Sequence, residues 1–214
     1  MIRLFDISLA IFFSPLYLIL IVVGSVLKLI IDGRPIFYIS KRCVKNLKEV
    51  KIYKFRTMIN ERLLIENEVA KYTKNGFETI PLQSNIYTPL GRIYEKFQLV
   101  ELPQFLNILI GEISFVGYRP LPEKNIKKLT NDLGSDLVTQ RHKYNAGLTG
   151  YTQLIGKINL SPTKRLQLEI QLGQDLHENG LIVASKTYFS LILDTIILIV
   201  FDKTIFINRE KLIE

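Results

Sequence analysis

The stretch Gln98-Leu-Val-Glu-Leu-Pro-Gln-Phe-Leu-Asn-Ile-Leu-Ile-Gly-Glu-Ile-Ser-Phe-Val-Gly-Tyr-Arg-Pro-Leu121 is apolar and helix-like. It carries one early carboxylate, Glu101, and closes on Gly117 and on Arg119 beside Pro120. Thr88-Pro89-Leu90-Gly91 leads toward it, and Ile93, Phe97 and Val100 lie three or four residues apart. That spacing predicts a helix running from Arg92 through Val100, interrupted or restarted at Pro103.

Upstream, Asp32-Gly33-Arg34-Pro35 reads as a turn. Ile36 to Ser40 and Val50 to Phe55 read as short strands joined by a basic loop, which predicts a small β-hairpin. Glu61 to Lys71 has helical composition, and Lys74 to Pro89 reads as a loop broken by Asn75-Gly76, Pro81 and Pro89. Downstream, Tyr188 to Phe201 is apolar but contains Asp194. It is short for a span, and suits an interfacial helix or a packed core helix equally.

Ile7 to Leu27 contains no charged residue. As a helix it is about 30 Å long, enough to cross the hydrocarbon of a bilayer. Asp6 stands where a secretory signal would carry a basic region, and no small-residue cleavage site follows. Pro15 cannot donate to the carbonyl of Ile11, so a kink is expected at Ser14-Pro15, with the Ser14 hydroxyl able to satisfy the freed acceptor. Arg3 precedes the segment. Lys28, Arg34, Lys41, Arg42, Lys45, Lys48, Lys51, Lys54 and Arg56 follow it, against only Asp32 and Glu49. The C-terminal flank therefore belongs in the cytoplasm by the positive-inside rule. A re-entrant hairpin would keep Arg3 there too, which favours re-entry over a straight span.

With 214 residues the chain is long enough for one ordinary domain, and no repeat or flexible linker divides it. Hydrophobic residues make up 48%, mean hydropathy is +0.19, and 28 Lys and Arg against 20 Asp and Glu give a formal charge of +8. This balance points to an acidic partner such as lipid headgroups or a diphosphate. Nucleic acid is disfavoured, because the basic stretch abuts a membrane segment and no matching motif accompanies it. Cys43, alone in the chain, reads as a small core hydrophobe. His142 and His177 lie too far apart, without ligand-like neighbours, to suggest a metal site.

Several motifs in order resemble one family. Phe5-Asp6 is followed by the apolar segment with Ser14-Pro15. Gly33-Arg-Pro-Ile-Phe37 and Lys54-Phe-Arg-Thr-Met58 come next, then Glu101-Leu-Pro-Gln104 with Asn107, Gly111, Ser114, Val116-Gly117 and Arg119-Pro120. Ala146-Gly-Leu-Thr-Gly150 with Gln153 and Gly156 completes the series. The chain resembles the bacterial sugar transferases, monotopic phosphoglycosyl transferases that move a sugar-1-phosphate from a nucleotide diphosphate sugar to a polyprenyl phosphate.

The resemblance implies a mainly α fold with a small β-hairpin. On that resemblance residues 1–31 would form a re-entrant membrane helix hairpin, and residues 32–214 a compact cytoplasmic domain with amphipathic interfacial helices. It further implies the cytoplasmic face of the bacterial inner membrane, a UDP-sugar and a polyprenyl phosphate as substrates, and initiation of a lipid-linked glycan such as an exopolysaccharide. Lys54, Arg56 and Arg119 become the candidates for phosphate contacts, arginine because its planar fork pairs two oxygens at once. Lys41, Lys45 and Lys48 fit better as basic surface facing anionic lipid.

In that family an Asp-Glu pair precedes Leu-Pro-Gln, the aspartate attacking the β-phosphate and the glutamate holding Mg²⁺. Here the pair is Val100-Glu101. Valine offers no lone pair, so covalent catalysis from position 100 is impossible. Glu101 remains suited to Mg²⁺ as a hard oxygen ligand. Tyr118 stands where the family has proline, Glu95 or Lys96 where a basic residue is usual, and Ser185 where an aspartate is expected. Three outcomes follow. A different carboxylate, Glu95 or Glu112, reaches the phosphate; the polyprenyl phosphate attacks directly; or the chain is an inactive accessory subunit of an active transferase. A peripheral module binding anionic lipid through Lys28 to Arg56 is the reading from a different class. Homo- or hetero-oligomerisation stays open.

Overall fold

The computed structural model describes residues 1–74, 77–78, 80–156 and 160–201. The Asn75-Gly76 turn lies outside them. In chain order the elements are α1 (Ile2–Ile31), β1 (Phe37–Cys43), β2 (Glu49–Phe55), α2 (Arg62–Lys71), β3 (Thr73–Lys74), β4 (Phe77–Glu78) and α3 (Pro89–Lys96). A 3₁₀ segment (Leu99–Gln104) leads to α4 (Phe105–Ile110), β5 (Ser114–Val116), α5 (Glu123–Leu133), α6 (Ser135–Arg141), β6 (Gly147–Thr149), α7 (Tyr151–Ile155), α8 (Pro162–His177) and α9 (Gly180–Phe201). The mainly helical class with a small antiparallel hairpin is as expected.

One stripe of α1, at Ile2, Asp6, Ala10, Tyr17, Ile21, Gly24 and Lys28, packs on the rest of the chain. These intervals of three, four and seven residues trace a single helix face. At the N-terminal end the buried Asp6 carboxylate accepts from Ser114 Oγ at 2.7 Å, Phe115 N at 3.0 Å and Tyr188 Oη at 2.7 Å. Arg3 donates to the carbonyls of Ile108 and Leu109 at the C-terminal end of α4, the first of which also accepts from Gly111 N at 3.0 Å. At the other end Lys28 pairs with Asp32 and Thr88, and Tyr94 Oη donates to the Gly24 carbonyl at 2.7 Å. Midway, Tyr17 stacks on Phe105 with ring centroids 4.5 Å apart. The opposite face, including Phe12, Leu18, Ile19, Val22 and Ile30, is exposed and apolar.

The fold-back expected at Ser14-Pro15 is not divided into two legs: α1 is continuous through Pro15. Ser14 Oγ donates to the Ile11 carbonyl at 2.8 Å, serving the acceptor that proline cannot. α9 begins eight residues before the apolar run noted in the sequence. It buries only Ala184, Tyr188, Leu191 and Asp194. By length and composition α1 and α9 are each apolar enough to cross a membrane.

The predicted hairpin forms, with Phe37 opposite Phe55 and Cys43 opposite Glu49. β1 runs three residues further than expected, because Cys43 N donates to the Leu121 carbonyl at 2.8 Å and extends the pairing. Cys43 is buried against Leu121, Ile126 and Leu166, and burial pushes its thiol pKa up.

The helix expected from Arg92 through Val100 is corrected. α3 ends at Lys96, and Gln98 adopts the left-handed conformation, φ 56° and ψ 17°, so the break precedes Pro103 by five residues. Ile93 and Phe97 are consequently exposed, while Val100, 6% exposed, packs with Phe55, Leu90 and Tyr94.

Two motifs that were separate in sequence prove to be one structural unit. β5 and β6 pair in parallel, Ser114 with Gly147 and Val116 with Thr149. The backbones approach so closely that a Cβ on Gly117 would lie 2.3 Å from the Asn145 carbonyl oxygen, and one on Gly147 would lie 2.2 Å from Gly117 N. Only glycine fits both positions.

Candidate functional site

A small concavity opens where the β1–β2 hairpin, the 3₁₀ segment and the chain after β5 meet. Its walls carry Arg42, Ile52, Lys54, Glu101, Gln104, Arg119, Pro120 and Gly147. Ile52 and Lys54 are two apart on β2, which places both on one face of the strand. Glu101 lies at the first turn of the 3₁₀ segment, and Arg119 follows β5 just beyond the Gly117 crossing.

Lys54 Nζ and Arg119 Nη2 both donate to Glu101 Oε1, each at 3.2 Å. Three residues widely spaced in the sequence thus converge on one point. Burial, with the nearby Arg119 and Arg42 charges, pushes the Lys54 pKa below the ordinary lysine value, and Glu101 opposes the shift. Three cationic side chains against one carboxylate leave this lining with two excess positive charges, a setting that attracts phosphate.

Arg56, also a candidate phosphate ligand, is not brought to this wall. β2 ends at Phe55, and the Arg56 guanidinium turns into the preceding loop. There it donates to the carbonyls of Pro35 at 2.6 Å, Asp32 at 2.7 Å, Met58 at 3.0 Å and Gly33 at 3.2 Å. Buried and engaged with backbone on several sides, it fastens the connection between α1 and β1.

Val100 and Glu101 face different surroundings, as adjacent positions in a 3₁₀ turn must. Val100 belongs to the Phe55, Leu90 and Tyr94 cluster, and Glu101 to the concavity. The alternative carboxylates are engaged elsewhere: Glu95 accepts from Thr57 Oγ1 at 2.9 Å and Glu112 from Asn107 Nδ2 at 2.6 Å. Neither lines the concavity. Ser185 lies half-buried on α9, its hydroxyl donating to the Ile182 carbonyl at 3.1 Å. Among the described residues no three His, Cys, Asp or Glu side chains gather as a metal site. A hard cation here would rest on Glu101 with oxygens from substrate and water, an arrangement Mg²⁺ accepts.

Behind the site, Arg119 is held by its own backbone. Arg141 Nη2 donates to the Arg119 carbonyl at 2.6 Å, and the Arg141 guanidinium lies 4.0 Å from the centre of the Tyr118 ring. Tyr118, the departure from the usual proline, is therefore a packing surface for Arg141. Glu169 takes Arg141, Arg165 Nε at 3.3 Å and Thr152 Oγ1 at 2.9 Å. Burial pushes the Glu169 carboxyl up, but the two guanidinium charges and their hydrogen bonds outweigh it and hold its pKa below the ordinary value. Val138 accepts from His142 Nδ1 at 2.7 Å, which leaves Nε2 to accept from Arg141 Nη1 at 3.0 Å. Burial and the Arg141 charge push this imidazole down to about 4.

Other motif residues are structural. Asn107 ties α4 to β2 through the Lys51 carbonyl at 2.7 Å and Tyr53 N at 3.3 Å, and Gln153 Nε2 donates to the Gly117 carbonyl at 3.1 Å. In the sequence Arg42 counted only toward the basic flank and Gln104 only as a motif position, and neither was assigned to a site. The hairpin register, which sets Arg42 opposite Val50 beside Ile52, is the signal that would have found the first.

Comparison with known proteins agrees with the motif order. The family model for bacterial sugar transferases matches residues 1–202. An uncharacterised sugar transferase of Bacillus subtilis, EpsL, is 31% identical over 168 residues, covering 78% of this chain and 75% of its own. The exopolysaccharide production protein ExoY of Sinorhizobium fredii is 34% identical over 182 residues, 81% of this chain and 76% of its own. The UDP-glucose:undecaprenyl-phosphate glucose-1-phosphate transferase of Klebsiella pneumoniae is 31% identical over 140 residues, 64% of this chain and 27% of that longer protein. With residues 1–202 matched and Lys54, Glu101 and Arg119 of three separate motifs meeting in one cationic concavity, the chain belongs to the bacterial sugar transferase family.

Proposed function

We propose that the protein transfers a sugar-1-phosphate from a UDP-sugar to a polyprenyl phosphate by a single displacement, the first step in building a lipid-linked glycan. An oxygen of the polyprenyl phosphate attacks the β-phosphorus of the donor. The bond from that phosphorus to the bridging oxygen breaks, and UMP leaves with the electron pair. The observation that carries this reading is the convergence of Lys54, Glu101 and Arg119 on one concavity from which Val100 is turned away. Little covalent chemistry is asked of a protein that transfers phosphoryl groups; positioning and charge stabilisation supply most of the catalysis. Arg119 and Lys54 hold the diphosphate oxygens and stabilise charge as UMP departs. We assign Glu101 to Mg²⁺, which when bound would neutralise further diphosphate charge.

The same reading places the protein at the cytoplasmic face of the bacterial inner membrane, with α1 as a re-entrant element. Both ends of α1 are tied to the same body, its outer face is apolar, and its C-terminal flank is basic. The basic flank then lies against anionic lipid. The test is UMP release from a panel of UDP-sugars with polyprenyl phosphate and Mg²⁺. Turnover with at least one donor is expected. No turnover with any, beside a working relative, contradicts the reading and leaves that of an accessory subunit.

A further inference from the structure

We propose that Gln104 is a ligand-binding residue whose side-chain amide donates to a phosphate oxygen of the molecule held in the concavity. The proposal rests on the reading that this concavity takes phosphate. Gln104 is 3% exposed, and its Nε2 has no hydrogen-bond partner among the described residues. Among the described residues only two other buried side-chain atoms share that condition. Buried amides otherwise find partners, because desolvating a donor without replacing its water costs free energy. Asn107, three residues on and fully buried, shows the ordinary outcome: its amide reaches the Lys51 carbonyl, Glu112 and Tyr53 N.

The position of Gln104 explains the exception. In a 3₁₀ segment of three residues per turn, side chains at i and i+3 eclipse, so Gln104 stands directly in line with Glu101. It lines the same wall as Lys54 and Arg119. A neutral donor there adds a contact to a phosphate oxygen without adding charge to an already cationic site.

Phosphate reaches this site from two sources, the donor diphosphate and the polyprenyl phosphate. The experiment measures binding of UDP, and of a short-chain polyprenyl phosphate in detergent, to wild type, Gln104→Leu and Gln104→Glu, with the thermal midpoint of each. Gln104→Leu is expected to weaken one ligand about fivefold to tenfold, with a midpoint equal to or above wild type, because an unmatched buried amide is removed. Gln104→Glu keeps the size, repels phosphate and weakens the same ligand further. Loss confined to UDP places the amide on the donor diphosphate; loss confined to the polyprenyl phosphate places it on the acceptor. Unchanged affinity for both in the two variants overturns the proposal alone. Wild type that binds neither overturns it together with the reading on which it rests.

Discussion

Two clusters in this molecule gather cations around a single glutamate, on either side of the Arg119 backbone, and they are built differently. In the concavity, Lys54, Glu101 and Arg119 have side chains 18%, 16% and 25% exposed and meet at 3.2 Å. Behind it, Arg141, Glu169 and Arg165 have side chains 0%, 1% and 2% exposed. The hidden cluster includes a guanidinium packed on the Tyr118 ring and a histidine kept neutral. The open one is loosely joined and borders an amide nitrogen, Gln104 Nε2, that finds no partner among the described residues. Residue types alone do not separate a positioning network from a substrate site. Burial and unfinished hydrogen bonding do, and here the first holds the backbone from which the second projects.

Four substitutions distinguish the two clusters. Glu169→Gln leaves two guanidiniums buried with their shared charge removed, and should cost about 3–5 kcal/mol in denaturant unfolding. A loss under about 1 kcal/mol would show that the hidden cluster does not hold the fold together. Glu101→Gln should do the reverse. Turnover falls about 100-fold or more through lost charge handling, while unfolding shifts by no more than about 1 kcal/mol because the carboxylate is partly solvated.

His142 separates the clusters by pH. Below about 6.5 an unfolded histidine takes up a proton that the folded chain refuses until about 4. Stability is therefore lost as pH falls through that window, with a slope of up to about 1.4 kcal/mol per pH unit. His142→Gln should flatten the slope, and an unchanged slope assigns it to other groups. The smallest effect concerns Lys54. Its depressed pKa predicts that kcat/KM, which reports the free enzyme, declines with rising pH before ordinary lysines titrate. Lys54→Arg should move that decline upward; an unmoved alkaline limb removes Lys54 from the phosphate contacts.

Much of this was legible in the sequence, for identifiable reasons. The β-hairpin announced itself by composition and turns, and Ser14 by the carbonyl that Pro15 abandons. Lys54, Glu101 and Arg119 were found through motif order. What was not legible depended on geometry that spacing does not encode. Gln98 takes a left-handed conformation with a side chain that gives no warning of it, so the helix ends early and Val100 turns inward. β5 and β6 are three residues each and pair across some thirty intervening positions, a contact no local pattern announces. Arg56 shares a strand alternation with Lys54, but β2 stops one residue before it, and the backbone carbonyls of the loop claim its guanidinium.

As proposed, the site works without a nucleophile at position 100. Exchange of labelled UMP into the UDP-sugar with polyprenyl phosphate omitted, using a donor the protein turns over, tests this. Direct attack by the acceptor predicts no exchange and no UMP release until polyprenyl phosphate is added. Acceptor-independent exchange, with a trapped phosphosugar on the chain, would contradict it and return the search to the carboxylates, Glu101 first.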